Sequence, residues 1–286
     1  MNDVLDGGVA AIVGAVRARQ VSPLELVETC LARIRDLEPS VNAFITISAE
    51  QARDQASAVE RAIGRGENAG NLAGVPFALK DNFDAAGLPT TAGSQMWAGN
   101  IATGDSEVAA RLRRAGGILV GKLNMHEWAI GGTTQNPFFG ACHNPWDLNR
   151  IPGGSSGGSG AAVAARMVPI AMGSDTGGSV RIPAALNGVS GLRPTFGRVS
   201  RRGLAPMSWT FDVAAPLAYS VEDLGWVLRE LSGFDAGDSA SEHTPSEDYG
   251  ALGDGPWRGG AEDRPPGGEL PQTRPTRRVG SRRTRV

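Results

Sequence analysis

Two glycine- and serine-rich segments constrain this chain more than any other feature: Pro152-Gly153-Gly154-Ser155-Ser156-Gly157-Gly158-Ser159-Gly160, then Gly173-Ser174-Asp175-Thr176-Gly177-Gly178-Ser179. Runs of this composition usually serve as flexible linkers. Here apolar segments bracket them tightly, with Ala161 to Ala165 and Val168 to Met172 lying between the two, so the backbone must turn sharply inside a packed body. A serine on such a turn is a candidate nucleophile, and it needs a base. The candidate is Lys80, at the end of the apolar run in Gly74-Val75-Pro76-Phe77-Ala78-Leu79-Lys80-Asp81-Asn82.

The surrounding pattern predicts an α/β fold. Ser22-Pro23-Leu24-Glu25 is a capping box with proline at the first helical position. The helix it opens carries Leu24, Val27, Cys30, Leu31 and Ile34 at helical spacing, and is expected to end before Pro39. Phe44 to Ile47 is a short buried run, followed by a helix from about Ala49 to Ile63 and a loop over 64–74. Val75 to Leu79 reads as a strand, which puts Lys80 at a strand's carboxyl end, a common place for chemistry in open α/β sheets. Asp105 or Ser106 caps a helix carrying Val108, Ala109 and Leu112, which stops at Gly116-Gly117 before the strand Ile118-Leu119-Val120. Ala161 to Ala165 reads as helix, Val168 to Met172 as strand, and Ser220 caps a helix over Val221 to Leu231, closed by Gly233.

Composition adds mainly exclusions. The net charge of −2 on balanced totals argues against bulk nucleic-acid binding. Cys30 and Cys142 lie far apart with no CxxC pair, which fits a reducing, cytoplasmic home and suggests neither a disulfide framework nor a zinc site. Ala10 to Val16 is too short and weak for a signal segment or membrane span, so a soluble, unprocessed protein is expected. The text changes after about Ser241. From Gly250 onward 8 arginines, 8 glycines and 5 prolines stand against 4 acidic residues, without helical or strand period. Residues 242–286 are therefore expected to form a disordered, solvated tail on a body spanning 1–241.

Acyl transfer to a serine needs an activated nucleophile, donors for the oxyanion and a proton for the leaving group. The successive N–H groups of Thr176, Gly177, Gly178 and Ser179 make a ready oxyanion hole. A lysine base must be neutral at working pH, which requires Lys80 to be buried. Asp81 follows it, but on a strand its side chain points to the opposite face. Asp175 and Arg181 read as a structural ion pair. Other motifs fail on their own terms. Gly154-Ser155-Ser156-Gly157-Gly158 satisfies the Gly-x-Ser-x-Gly elbow, yet Asn149-Arg150-Ile151-Pro152 is no strand leading into it. Gly116 to Lys122 imitates a phosphate loop, but Leu123 stands where a magnesium-binding hydroxyl belongs. His126 with Glu127 lacks a second histidine, because Ile130 occupies that place, and reads as a hydrogen-bonded loop residue.

Together these segments resemble the amidase signature family, whose members cleave amides with a Ser-Ser-Lys triad. The similarity runs from about Ser22 to Ser241, through Lys122-Leu123-Asn124-Met125, Asn144-Pro145-Trp146-Asp147, Gly191-Leu192-Arg193-Pro194-Thr195 and Gly197-Arg198-Val199-Ser200. By this resemblance Ser179 is the nucleophile, Ser155 a bridging serine on a cis peptide bond and Lys80 the base, on a mixed β-sheet core flanked by helices. No metal or organic cofactor is implied. Family members are usually much longer, so the expectation is a chain whose C-terminal half is missing, through a frameshift or early stop. Ala215 and Tyr219 depart from the family's usual glycine and arginine, which is expected to alter packing near the site.

Three functions follow from the resemblance. The first is a free-standing amidase for small-molecule carboxamides, alone or as a homodimer. The second is the A subunit of a tRNA-dependent amidotransferase, which frees ammonia from glutamine and works with B and C subunits. The third is an inactive fragment. Met125-His126-Glu127-Trp128 and Arg181-Ile182-Pro183-Ala184 are closer to the hydrolases, and favour the first.

Overall fold

The structure is a computed structural model and describes residues 4–243 and 249. A six-stranded sheet forms its centre, in the order β1 (Phe44–Ile47), β3 (Ile118–Leu123), β2 (Pro76–Lys80), β6 (Ile170–Asp175), β8 (Val213–Ala218), β7 (Ser190–Gly191). β4 (Gln135–Asn136) and β5 (Gly140–Ala141) make a separate hairpin. β2 runs parallel to both β3 and β6, while β1, β7 and β8 pair antiparallel, so the sheet is mixed, as the family resemblance implies.

The three parallel strands are buried throughout because helices cover both faces, and they are apolar except for Lys80, Lys122, Ser174 and Asp175. Their side chains alternate between two cores. Phe77, Leu79, Leu119, Ile170 and Met172 enter one, with α1 (Gly8–Arg17), α4 (Glu107–Arg114) and α7 (Val221–Leu231). Ala78, Ile118, Val120 and Ala171 enter the other, against α2 (Pro23–Val41), α3 (Ala49–Gly64) and α5 (Gly157–Ala164). Each large side chain so buried contributes about 1.5–3 kcal/mol.

Helix starts follow the predicted caps: Glu25 N–H donates to Ser22 Oγ at 3.0 Å and Ser22 N–H to the Glu25 carboxylate at 2.7 Å. The Ser106 and Ser220 hydroxyls accept the Ala109 and Asp223 N–H at the starts of α4 and α7. The predicted end of α2 is early, since the helix passes Pro39 and stops at Asn42 in the left-handed region, φ 52°. The half-buried Glu38 carboxylate accepts Ala43 and Phe44 N–H at 3.0 and 2.8 Å, tying the following chain back to the helix. The glycine block also starts a helix earlier than its composition suggests. Helix α5 takes in Gly157, Gly158 and Gly160, whose missing side chains let it lie against its neighbours; a Cβ on Gly158 would stand 2.5 Å from the carbonyls of Ala43 and Asn124. Elements not assigned from sequence include α1, α6 (Arg181–Asn187) and β8.

Tyr219 corrects one expectation: its ring lies under the Arg166 guanidinium, beyond the end of β8 that pairs with Ile170 and away from the end that pairs with Asp175. Glu242 and His243 still pack on the body, through Glu242 N–H to Gly197 C=O at 3.0 Å and a ring stack on Phe234. Apart from them and Tyr249, the expected tail lies outside the described residues. Among the described residues no helix is long and apolar enough to cross a membrane.

Candidate active site

Lys80, Leu123 and Asp175 end the three parallel strands β2, β3 and β6, and their carboxyl ends gather one set of polar groups. Lys80 is fully buried, as base chemistry requires. Its Nζ lies 2.7 Å from Ser155 Oγ and 2.9 Å from Ser174 Oγ. Burial pushes the ammonium down to about 7, against weaker opposing attraction from Asp212 and Asp175. Asp81 takes no part: its carboxylate accepts from Lys122 Nζ at 3.0 Å and from Thr91. Lys122 is buried too and also donates to Pro89 C=O at 2.7 Å. The two lysines thus differ in partner, one facing hydroxyls and the other a carboxylate.

The first glycine block is held by its neighbours. Thr134 Oγ1 donates to Gly153 C=O at 2.8 Å and accepts Gly157 N–H at 3.0 Å, and Asn187 donates to Pro152 C=O at 2.7 Å. The Gly154–Ser155 peptide is cis. Gly154 passes so close to the Gly131–Thr133 backbone that a Cβ would lie 2.6 Å from Thr133 N. Ser156 N–H donates to Ser179 C=O at 3.1 Å, which brings the second block beside the first. The Ser179 side chain is partly exposed, and among the described residues its Oγ has no hydrogen-bond partner. Lys80 and Ser155 are therefore in direct contact, and Ser179 is adjacent through its backbone.

Asp175 organises the second block. Its carboxylate accepts N–H bonds from Gly178 at 2.9 Å, Val180 at 3.1 Å and Arg181 at 3.3 Å, and the Arg181 guanidinium at 2.9 and 3.1 Å. The ion pair read from sequence is present, and these bonds hold the Asp175 carboxyl below its ordinary range despite its burial. They also correct the proposed oxyanion hole, because the Gly178 N–H is already spent on Asp175. The N–H groups of Thr176, Gly177 and Ser179 have no protein acceptor among the described residues, and all three residues reach solvent. Thr176 Oγ1 is fixed by Asp212 at 2.5 Å.

Ser174, Asn82, Thr134 and Asp212 were not singled out from sequence. Ser174 and Asn82 stand inside quoted motifs, but nothing local marks their side chains as pointing at Lys80. Asp212 and Thr134 lie outside those motifs and meet the site only through folding. His126 is half-buried beside Thr133, with Nδ1 and Oγ1 3.3 Å apart, in keeping with a loop residue.

A mixed sheet with helices on both faces, carrying a buried lysine bonded to a serine of a glycine turn, sets the class of fold. The sequence model of the amidase family matches residues 25–253, and the chain belongs to that family. The A subunit of glutamyl-tRNA(Gln) amidotransferase from Coxiella burnetii (strain RSA 493 / Nine Mile phase I) is 47% identical over 244 residues, 85% of this chain and 50% of that one. Its counterpart from Anaeromyxobacter sp. (strain K) is 48% identical over 82% of this chain and 48% of its own. Among solved structures, a bacterial aryl acylamidase of the amidase signature family superposes with TM-score 0.80 at 36% identity, covering 86% of this chain and 51% of that chain. The peptide amidase of Stenotrophomonas maltophilia gives 0.80 at 34%, covering 85% and 52%. This chain thus spans about half the length of the relatives it matches.

Proposed function

We propose that this chain cleaves carboxamides through an acyl intermediate on Ser179, with Ser155 and Lys80 carrying the proton. The observation that carries this reading is a fully buried lysine bonded to Ser155 Oγ at 2.7 Å. Neutral Lys80 takes the Ser155 proton as Ser155 takes that of Ser179, and Ser179 Oγ attacks the carbonyl carbon. The N–H groups of Thr176, Gly177 and Ser179 would hold the oxyanion. Collapse breaks the C–N bond, and the proton returns along the same path to the departing amine. Water then attacks the acyl carbon, gives its proton to the relay and releases the carboxylate. The Ser155–Ser179 contact is the one expected to tighten when substrate fills the site, as catalytic bonds commonly do.

A second reading is supported by the curated relatives, which are A subunits of glutamyl-tRNA(Gln) amidotransferase at 47–48% identity. There the same acyl chemistry would act on glutamine and need partner subunits. Cytoplasmic residence fits either reading, and the two buried cysteines, which form no disulfide, support it.

Intact-mass analysis after a fluorophosphonate probe, which Ser179 Oγ attacks with loss of fluoride, tests the shared core. One adduct, absent in Ser179→Ala, is expected; folded protein without an adduct would count against an active nucleophile. Ammonia release from glutamine only when the relatives' partner subunits are added would select the second reading.

A further inference from the structure

Ser174 and Asn82 take no step in the relay above, yet Ser174 Oγ lies 2.9 Å from Lys80 Nζ and 3.0 Å from the carboxamide nitrogen of Asn82. All three side chains are buried. The other end of the carboxamide, Asn82 Oδ1, is buried with no hydrogen-bond partner. A hydroxyl has one proton to give. With the Asn82 nitrogen facing it, Ser174 must accept there, and among the described residues its own proton has only Lys80 Nζ as acceptor. That bond would occupy the single lone pair of the neutral amine, leaving Lys80 a donor to Ser155 and unable to take its proton. With Lys80 charged, the Ser174 proton would have no acceptor at all.

Turning the carboxamide over exchanges two atoms of nearly equal size and removes both conflicts. We propose that Asn82 presents its carbonyl oxygen to Ser174, and that the two act as a positioning pair which keeps the lone pair of Lys80 aimed at Ser155. Lys80 N–H then donates to Ser174 Oγ, and Ser174 O–H to Asn82 Oδ1, in both charge states of the lysine. The turned Nδ2 takes the place where Oδ1 now stands unpartnered, so the count of unpaired ends is equal and the lysine's proton decides. This inference rests on Lys80 being the base. The charged or titratable groups that act on Lys80 are Asp175 at the end of β6 and Asp212 before β8, with His126 after β3 coupled to it; none changes in the test.

Lys80 and Lys122 are the only lysines in the sequence. Full-length protein labelled with carbon-13 at lysine Cε therefore gives one signal for each, and Lys122, bound to Asp81, reports the fold. The Lys80 signal is titrated in the wild type, Asn82→Leu and Ser174→Ala. In the proposed orientation both substitutions remove an acceptor that favours the ammonium, so the Lys80 midpoint falls by about one pH unit. With the nitrogen facing Ser174, Asn82→Leu instead removes a competing donor and the midpoint rises. A rise or no change overturns the proposal, and Ser174→Ala carries the same reading where Asn82→Leu loses the folded Lys122 signal. A wild-type Lys80 that titrates like a free lysine would overturn the base reading separately.

Discussion

Lys80 shows what a buried lysine costs its host. Its pKa falls from 10.5 to about 7 because burial disfavours the ammonium. Between those values the unfolded chain binds a proton that the folded chain does not, so stability rises with pH through that window and is flat below about 7. Lys80→Met removes the buried charge, and is expected to be more stable than wild type at pH 7, by on the order of 1–3 kcal/mol. The difference should shrink toward pH 10, and urea midpoints at the two pH values check it. The same titration should appear in chemistry. Labelling of Ser179 by a fluorophosphonate is expected to speed up with pH and level off above a midpoint near 7, as the amine becomes neutral, and to be lost in Lys80→Met. A rate independent of pH from 5 to 9 would remove Lys80 from the role.

At the level of elements, the turn between β6 and α6 is built by one carboxylate. Asp175 satisfies three backbone N–H groups and a guanidinium. Asp175→Ala leaves those donors unpaired and is expected to cost roughly 2–4 kcal/mol, with loss of Ser179 labelling. Asp175→Asn keeps an acceptor oxygen and should lose less; denaturant melts of the pair decide. Helix α5 depends on having no side chain at Gly158, where a Cβ would meet two backbone carbonyls at 2.5 Å. Gly158→Ala is therefore expected to unfold the protein or shift its melt by many degrees, whereas an exposed helix glycine would tolerate alanine. Caps made α2, α4 and α7 legible because a hydroxyl three residues before a helical N–H is a local signal. Helix α6 and strand β8 lack such signals. Val213–Ala218 is alanine-rich and includes Pro216, and it becomes a strand because β6 offers a partner along its whole length.

Across the whole molecule, one sheet carries two cores. Ile118 and Leu119 are neighbours in β3 that enter opposite cores, both fully buried. Ile118→Ala and Leu119→Ala are each expected to cost about 2–5 kcal/mol. Because the sheet is shared, each should lower the far-ultraviolet and tryptophan-fluorescence transitions together. Separate transitions for the two faces would show that the cores fold independently.

From its own text the sequence specified the class of fold and the residue types of the site: strands alternating with capped helices, glycine where backbone passes close to backbone, serines on those turns and a lysine at a strand's carboxyl end. These are local properties, set by side-chain shape, spacing and backbone freedom. Tertiary structure decided what those residues can do. Lys80 is depressed because its strand is covered on both faces; Asp81 is removed from it by Lys122, which belongs to the next strand. Gly178 gives up its N–H to Asp175, and Ser174 meets Lys80 across a strand pair. Proton affinity and hydrogen-bond competition depend on desolvation and on partners distant in the chain, and only folding brings those partners into reach.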